Sequence, residues 1–314
     1  MDYRVRPAKS IERKMIAEML LRFGRLRALA DYQYVGMGSY QFRDFIRFHR
    51  DLGIAFMVSM ESDTGLETRV NFNKPYDIID VAMGAASSVL PSLDWARPTF
   101  AWLDYNSSLS ATELDDLAVV AANANSGDAL FVTLAASVSV SALARLRSAR
   151  KGYSRDFGEL KEVGAGADAS FADAQVSALR REVETVLRER NLACAPEAVL
   201  SFVQFADFRY QDGAKMLTWG GAFVTDDERE LLLGSPGDLA TLSQCRVQGE
   251  KPFEIRVPTL TPREQLYLDA SLPKGLVVQE DLDRVSQEIG IPPYELRRYA
   301  ELYRYYPTFA EADL

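Results

Sequence analysis

Apolar residues near the start of the chain recur at three- and four-residue spacing: Ile11, Met15, Ile16, Met19, Leu20, Phe23 and Leu26. That period lines one stripe of a helix over residues 11–29, laid against a sheet. Residues 31–35 read as a short strand that runs straight into Gly36-Met37-Gly38-Ser39, and 40–52 read as a helix closed by Gly53. The pattern then changes to a continuous apolar run with β-branched members, Ile54 to Met60, as in a strand covered on both faces; it ends on Glu61. Residues 69–75 read as a loop or short edge segment, and 77–81 as a third strand. Thr99 to Leu103 form a clearer strand ending in Asp104-Tyr105, Ser110 and Glu113 open a helix as a capping box, and 128–134 supply another strand. Strands and helices alternating at this length predict an α/β fold, a Rossmann-like doubly wound and mostly parallel sheet.

Downstream the pattern is less regular. Residues 137–190 read as a helical insertion with a basic cluster, Arg145, Arg147, Arg150, Lys151 and Arg155, and a joint at Gly164-Ala165-Gly166-Ala167. Residues 199–209 and 215–225 then read as two strands joined through Asp212-Gly213, a late antiparallel hairpin. Thr261-Pro262-Arg263-Glu264 combines an N-cap, a proline at the first helical position and a glutamate at the third, so a helical tail begins there. The expected organisation is a domain over 1–258 and a helical C-terminal extension over 259–314.

Composition narrows the chemistry. Of 314 residues 47% are hydrophobic, enough for a sizeable core. With 36 Lys and Arg against 45 Asp and Glu, the net charge of -9 gives no global field to draw in nucleic acid, so the arginine cluster reads first as a solvated helix face. Cys194 and Cys245 stand without metal-ligand spacing, so neither a zinc site nor a disulfide framework is expected and a reducing cytoplasm fits. No apolar run reaches the roughly 20 residues that span a bilayer. The single histidine, His49, excludes a multi-histidine metal site and reads as a packing or surface residue of its helix.

The candidate chemistry therefore lies at the strand ends. A glycine pair after a strand lets backbone approach a nucleotide, or merely makes a tight turn. Glu61, about 20 residues on, stands where such folds place a carboxylate on the ribose hydroxyls. Asp104 reads either as a base or cofactor contact, or as a turn starter; Tyr105 either lines a pocket or covers the sheet end. Tyr299, Tyr303 and Tyr306 of the tail fall at helical spacing and read as packing.

In this order of elements, and above all in the late hairpin, the chain resembles class I S-adenosylmethionine-dependent methyltransferases. Tyr34-Val35-Gly36-Met37-Gly38-Ser39, Phe72-Asn73-Lys74-Pro75 and Trp102-Leu103-Asp104-Tyr105 are similar to a bacterial group described as putative O-methyltransferases. The resemblance implies S-adenosylmethionine as cofactor, with Gly36, Met37, Gly38 and Ser39 around its methionine part, Glu61 on its ribose, and Asp104 and Tyr105 near the transferred methyl group. It implies O-methyl transfer to an unidentified acceptor. Tyr34 and Ser39-Tyr40 depart from the group's pattern, which usually has an acidic residue at the position of Tyr34 and further small residues in the glycine loop. A degenerate, non-catalytic interaction module in a multi-component system, with a protein partner or as a homodimer, is therefore the alternative reading.

Overall fold

The computed structural model describes residues 6–149, 166–234 and 238–307. In chain order the regular elements are α1 (Pro7–Leu21), β1 (Gln33–Gly36), α2 (Arg43–Leu52), β2 (Phe56–Glu61), α3 (Glu67–Asn73), β3 (Ile79–Met83) and α4 (Ala86–Val89). There follow β4 (Thr99–Asp104), α5 (Ala111–Asn123), β5 (Asp128–Ala135), α6 (Val140–Ala149), α7 (Ala167–Asn191), β6 (Ser201–Asp212), β7 (Ala214–Val224) and α8 (Asp226–Leu233). The last are β8 (Phe253–Ile255), α9 (Pro262–Asp269), α10 (Gln279–Ile289) and α11 (Pro293–Leu302).

The strands form one sheet in the order β3-β2-β1-β4-β5-β7-β6-β8. β1, β2, β3, β4 and β5 run parallel, while β7 enters antiparallel beside β5, pairing Asp128 with Phe223 and Ala135 with Met216. The doubly wound sheet and the late hairpin are thus as the sequence predicts. Two segments differ: the first helix, read over 11–29, runs Pro7–Leu21 and gives way to 3-10 turns, and residues 69–73, read as loop or edge, belong to helix α3. Its two asparagines fold back within the helix, Asn71 Nδ2 donating to the Glu67 carbonyl at 3.0 Å and Asn73 Nδ2 to that of Arg69 at 2.7 Å.

The chain divides into two compact units. The larger, Ala17–Arg209 with Ala214–Phe253, carries most of the sheet. On one of its faces α5 and α7 bury Leu114, Leu117, Leu179 and Val183 against Leu130, Val132 and Trp219. α7 lies within the stretch read as an insertion, yet Phe171, Val176, Leu179, Val183 and Leu187 recur at helical spacing and all belong to this core. The opposite face is aromatic: Tyr32 stacks on Phe100 at 3.9 Å, and Phe23 meets Phe100 edge-on at 5.2 Å. The smaller unit groups Met1–Ile16, Tyr210–Gly213 and Glu254–Leu314, so the tail includes the start of α1 and the hairpin tip. There the Asp212 carboxylate accepts the Ala8 and Lys9 amides at 3.1 and 2.8 Å, which satisfies orphan donors at the start of α1. Lys9, 1% exposed, pairs with the buried Glu12 at 2.8 Å. Tyr299 is buried and donates to Asp269 at 2.7 Å, and the Tyr306 hydroxyl donates to the Pro258 carbonyl at 2.6 Å, so both tyrosines are structural.

At the amino ends of β4 and β5, Asp128 pins two segments: Oδ1 accepts the Thr99 amide at 2.7 Å and Oδ2 the Asn125 amide at 2.7 Å. Burial dominates these bonds and pushes the Asp128 carboxyl up to about 7. A raised carboxyl means the folded protein keeps a proton that the unfolded chain releases between about pH 4 and pH 7. Stability is therefore expected to fall across that window as pH rises, by up to about 1.4 kcal/mol per pH unit from this group. Urea midpoints of the wild type and Asp128→Asn at pH 4.5, 6 and 7.5 check this; parallel slopes for the two proteins would refute it.

Candidate active site

Strand order sets where a ligand can bind. β1 leads outward through β2 to β3, and β4 leads the other way to β5, so the connections diverge between β1 and β4. Beyond the carboxyl ends of such strands the diverging loops leave a crevice. Gly36 closes β1 opposite Ser59 of β2 and Trp102 of β4, Glu61 closes β2 opposite Met83, and Asp104 closes β4 opposite Thr133. The residues singled out in the sequence, Gly36 to Ser39, Glu61 and Asp104-Tyr105, thus share one edge of the sheet.

The glycine turn is packed from within. A Cβ on Gly36 would stand 2.5 Å from the Tyr34 hydroxyl, and one on Gly38 would stand 2.8 Å from each of Phe42, Phe45 and Ser59. Both glycines are thus explained by protein packing alone. The Gly38 amide donates to Ser59 Oγ at 3.2 Å, so it is spent inside the domain. Met37 is half-buried against the core. Ser39 and Phe42 both adopt left-handed backbone, at φ 48° and 49°, which turns the chain into α2. For phenylalanine that conformation costs on the order of 1–2 kcal/mol; full burial of its ring, 5.6 Å from Phe45, offsets the cost.

Tyr34 is almost fully buried, its ring edge-on to Phe45 at 4.8 Å and Phe48 at 4.7 Å. Its hydroxyl donates to Asp44 Oδ2 in the first turn of α2. Asp44 is 8% exposed and was not singled out from sequence. The signal was present, since Asp44, Phe45, Phe48 and Leu52 form the inward stripe of α2.

Glu61 is half-buried; its Oε1 accepts the Asp63 amide at 2.9 Å, and its carbonyl accepts the Gly84 amide at 2.8 Å. Asp104 is half-buried at the end of β4. On the same sheet face the Trp102 indole donates to Thr133 Oγ1 at 2.9 Å, and Thr133 pairs with Thr218 at 2.7 Å. This buried polar row in register with Asp104 was missed, because isolated threonines in apolar strands carry no sequence signal. Tyr105 turns the other way: its hydroxyl donates to Asp116 of α5 at 2.7 Å, and burial beside that carboxylate holds the phenol far above its ordinary range. A tyrosine so placed keeps its proton and orients the strand end.

His49 is structural, as its sequence context suggests: Nδ1 bonds the Ile54 carbonyl at 2.9 Å, and the ring lies 4.5 Å from Tyr76. Of the arginine cluster, Arg145 pairs with Glu113 at 3.2 Å; Arg150, Lys151 and Arg155, and Gly164-Ala165 of the glycine joint, lie outside the described residues. Among the described residues no group of three or more potential metal ligands occurs, and no helix is long and apolar enough to cross a membrane.

Fold and strand ends together define a doubly wound α/β domain whose glycine turn, Glu61 and Asp104 share the carboxyl edge of the sheet around the β1/β4 divide. A family model described as Putative O-methyltransferase matches residues 1–314, and the chain belongs to that family. Among solved structures it is similar to Trm1 from Pyrococcus horikoshii, determined with S-adenosyl-L-methionine, at 12% identity and TM-score 0.44 over 72% of this chain and 58% of that one. It is also similar to the O-methyltransferase TomG from Streptomyces achromogenes, at 15% identity and TM-score 0.36 over 66% and 79%. No curated protein matches the sequence.

Proposed function

We propose that this chain transfers the methyl group of S-adenosylmethionine to an oxygen acceptor, in the cytoplasm of a bacterial cell. The observation that carries the reading is the convergence of the glycine turn, Glu61 and Asp104 at the carboxyl ends of three adjacent strands, on both sides of the divide between β1 and β4. The donor set fits such a cofactor: carboxylates can accept from a ribose diol and can neutralise a ligand carrying positive charge.

The cofactor supplies an already activated methyl group: the sulfur–carbon bond breaks with its electrons kept on sulfur as the oxygen–carbon bond forms. The protein then has little to do beyond alignment and proton removal. Glu61 holds the ribose hydroxyls, and the turn from Gly36 to Ser39 fixes the methionine part. Asp104, at the carboxyl end of β4 beside β1, takes the proton of the acceptor hydroxyl. Tyr105, held on Asp116, fixes the backbone that presents Asp104.

Calorimetric titration with S-adenosylhomocysteine tests the placement. Wild type should bind, and Glu61→Ala should weaken binding roughly 10–100-fold, the worth of losing charged hydrogen bonds to the ribose. Undiminished affinity in the variant would remove Glu61 from the site. The second reading, a cofactor-empty interaction module with a protein partner, rests on Tyr34 and its packing against the glycine turn; no heat and no thermal stabilisation at millimolar ligand would favour it.

A further inference from the structure

We infer that Asp44, delivered by helix α2 and braced by Tyr34, is the carboxylate that receives the α-ammonium of the methyl donor. The inference rests on the donor reading above and goes beyond it by naming a residue for the charged end of the ligand. A zwitterionic amino-acid group brings an ammonium with three N–H donors to the glycine turn, where once out of water it needs acceptors, and a carboxylate is the strongest of these. Strand β1 supplies no carboxylate: its four residues are Gln33, Tyr34, Val35 and Gly36. The carboxylate comes instead from the helix that the turn leads into.

Three observations converge on it. Asp44 is 8% exposed, a carboxyl group withdrawn from water beside the turn rather than a solvated helix residue. The Tyr34 hydroxyl ends both on this carboxylate and against Gly36, since a Cβ there would stand 2.5 Å from the hydroxyl oxygen. That hydroxyl therefore links strand, turn and helix at one point. Phe45 and Phe48 clamp the tyrosine ring and fix the position of its hydroxyl oxygen. The O–H takes one of the roughly four acceptor positions of a carboxylate and orients the group. Tyr34, which in sequence looks like a lost acid, acts as the positioning residue for an acid ten places further on.

Two ligands separate this role from general damage to the site: S-adenosylhomocysteine, which carries the amino-acid group, and 5′-methylthioadenosine, which lacks it. Wild type should prefer the former. Asp44→Asn should lose at least tenfold in affinity for S-adenosylhomocysteine and keep its affinity for 5′-methylthioadenosine within about threefold, so the preference collapses. Tyr34→Phe keeps both carboxylate and ring but frees the carboxylate to turn, so it should lose part of the preference, less than Asp44→Asn does. Equal losses for both ligands in Asp44→Asn, or no loss for either, would overturn the assignment while leaving the donor reading standing. A loss in Tyr34→Phe as large as that in Asp44→Asn at native folding would move the role to the hydroxyl and overturn it, and an unchanged preference would overturn the positioning by Tyr34. Failure of wild type to bind either ligand would instead fail the donor reading, and Asp44 with it.

Discussion

Asp104→Asn is expected to lower the rate of methyl transfer to a hydroxyl acceptor roughly 10²–10⁴-fold, the usual worth of a positioned base. The substitution keeps the shape of the side chain and removes its capacity to accept a proton. The backbone that presents it should stay in place, because β4 is paired on both sides, Gly36 opposite Trp102 and Asp104 opposite Thr133. The Tyr105 amide is also fixed, donating to the Thr133 carbonyl at 3.0 Å. The defect should therefore fall on the chemical step. Single-turnover formation of S-adenosylhomocysteine, measured with the best of a panel of phenols, alcohols and carboxylic acids, should slow while cofactor affinity changes only a few-fold. Acids need no base, since they arrive ionised, so their transfer should survive the substitution and phenols' should not. Intact turnover with a phenol would remove Asp104 from this role.

The largest expected loss of stability lies far from that edge, in β7. Gly220 and Gly221 stand in tandem where β7 is flanked by β5 and β6. A Cβ on Gly221 would meet the Val203 carbonyl oxygen at 2.4 Å and the Phe202 ring at 2.6 Å. Backbone cannot yield there without parting β6 from β7, so Gly221→Ala should cost about 3 kcal/mol or more. Gly53→Ala is the control: its φ of 73° strains a side chain, but nothing stands within 4 Å, and about 1 kcal/mol is expected. Denaturant midpoints of the two variants compare them directly, and equal shifts would contradict the packing argument.

Much of the sheet was legible because its signals are local. Apolar runs mark β2, β4 and β5, Ser110 with Glu113 marks the start of α5 as an observed capping box, and Asp212-Gly213 marks the hairpin. α3 was not, since seven residues with Asn71 and Asn73 carry little helical signal and gain their order from the strands on either side. The core role of α7 was hidden by its charged outer face and by its distance in sequence from the strands it covers. At the site, residue types pointed to Gly36, Glu61 and Asp104, whose roles depend on position along the chain. Tyr34 and Tyr105 could not be interpreted this way, because each is defined by a hydroxyl partner about ten residues away, Asp44 and Asp116.

The insertion of β7 between β5 and β6 also governs how the chain must be made. β5 is buried over nearly its whole length, yet its neighbour on that side is β7, which begins at Ala214. During synthesis an apolar strand therefore waits, with one row of backbone groups unsatisfied, until almost ninety residues have followed it (from Ala135 to Val224). An unpaired edge of that kind templates association with other chains. Truncation before Ala214 should give an aggregating product, whereas chains that extend past Val224 can close the edge on themselves.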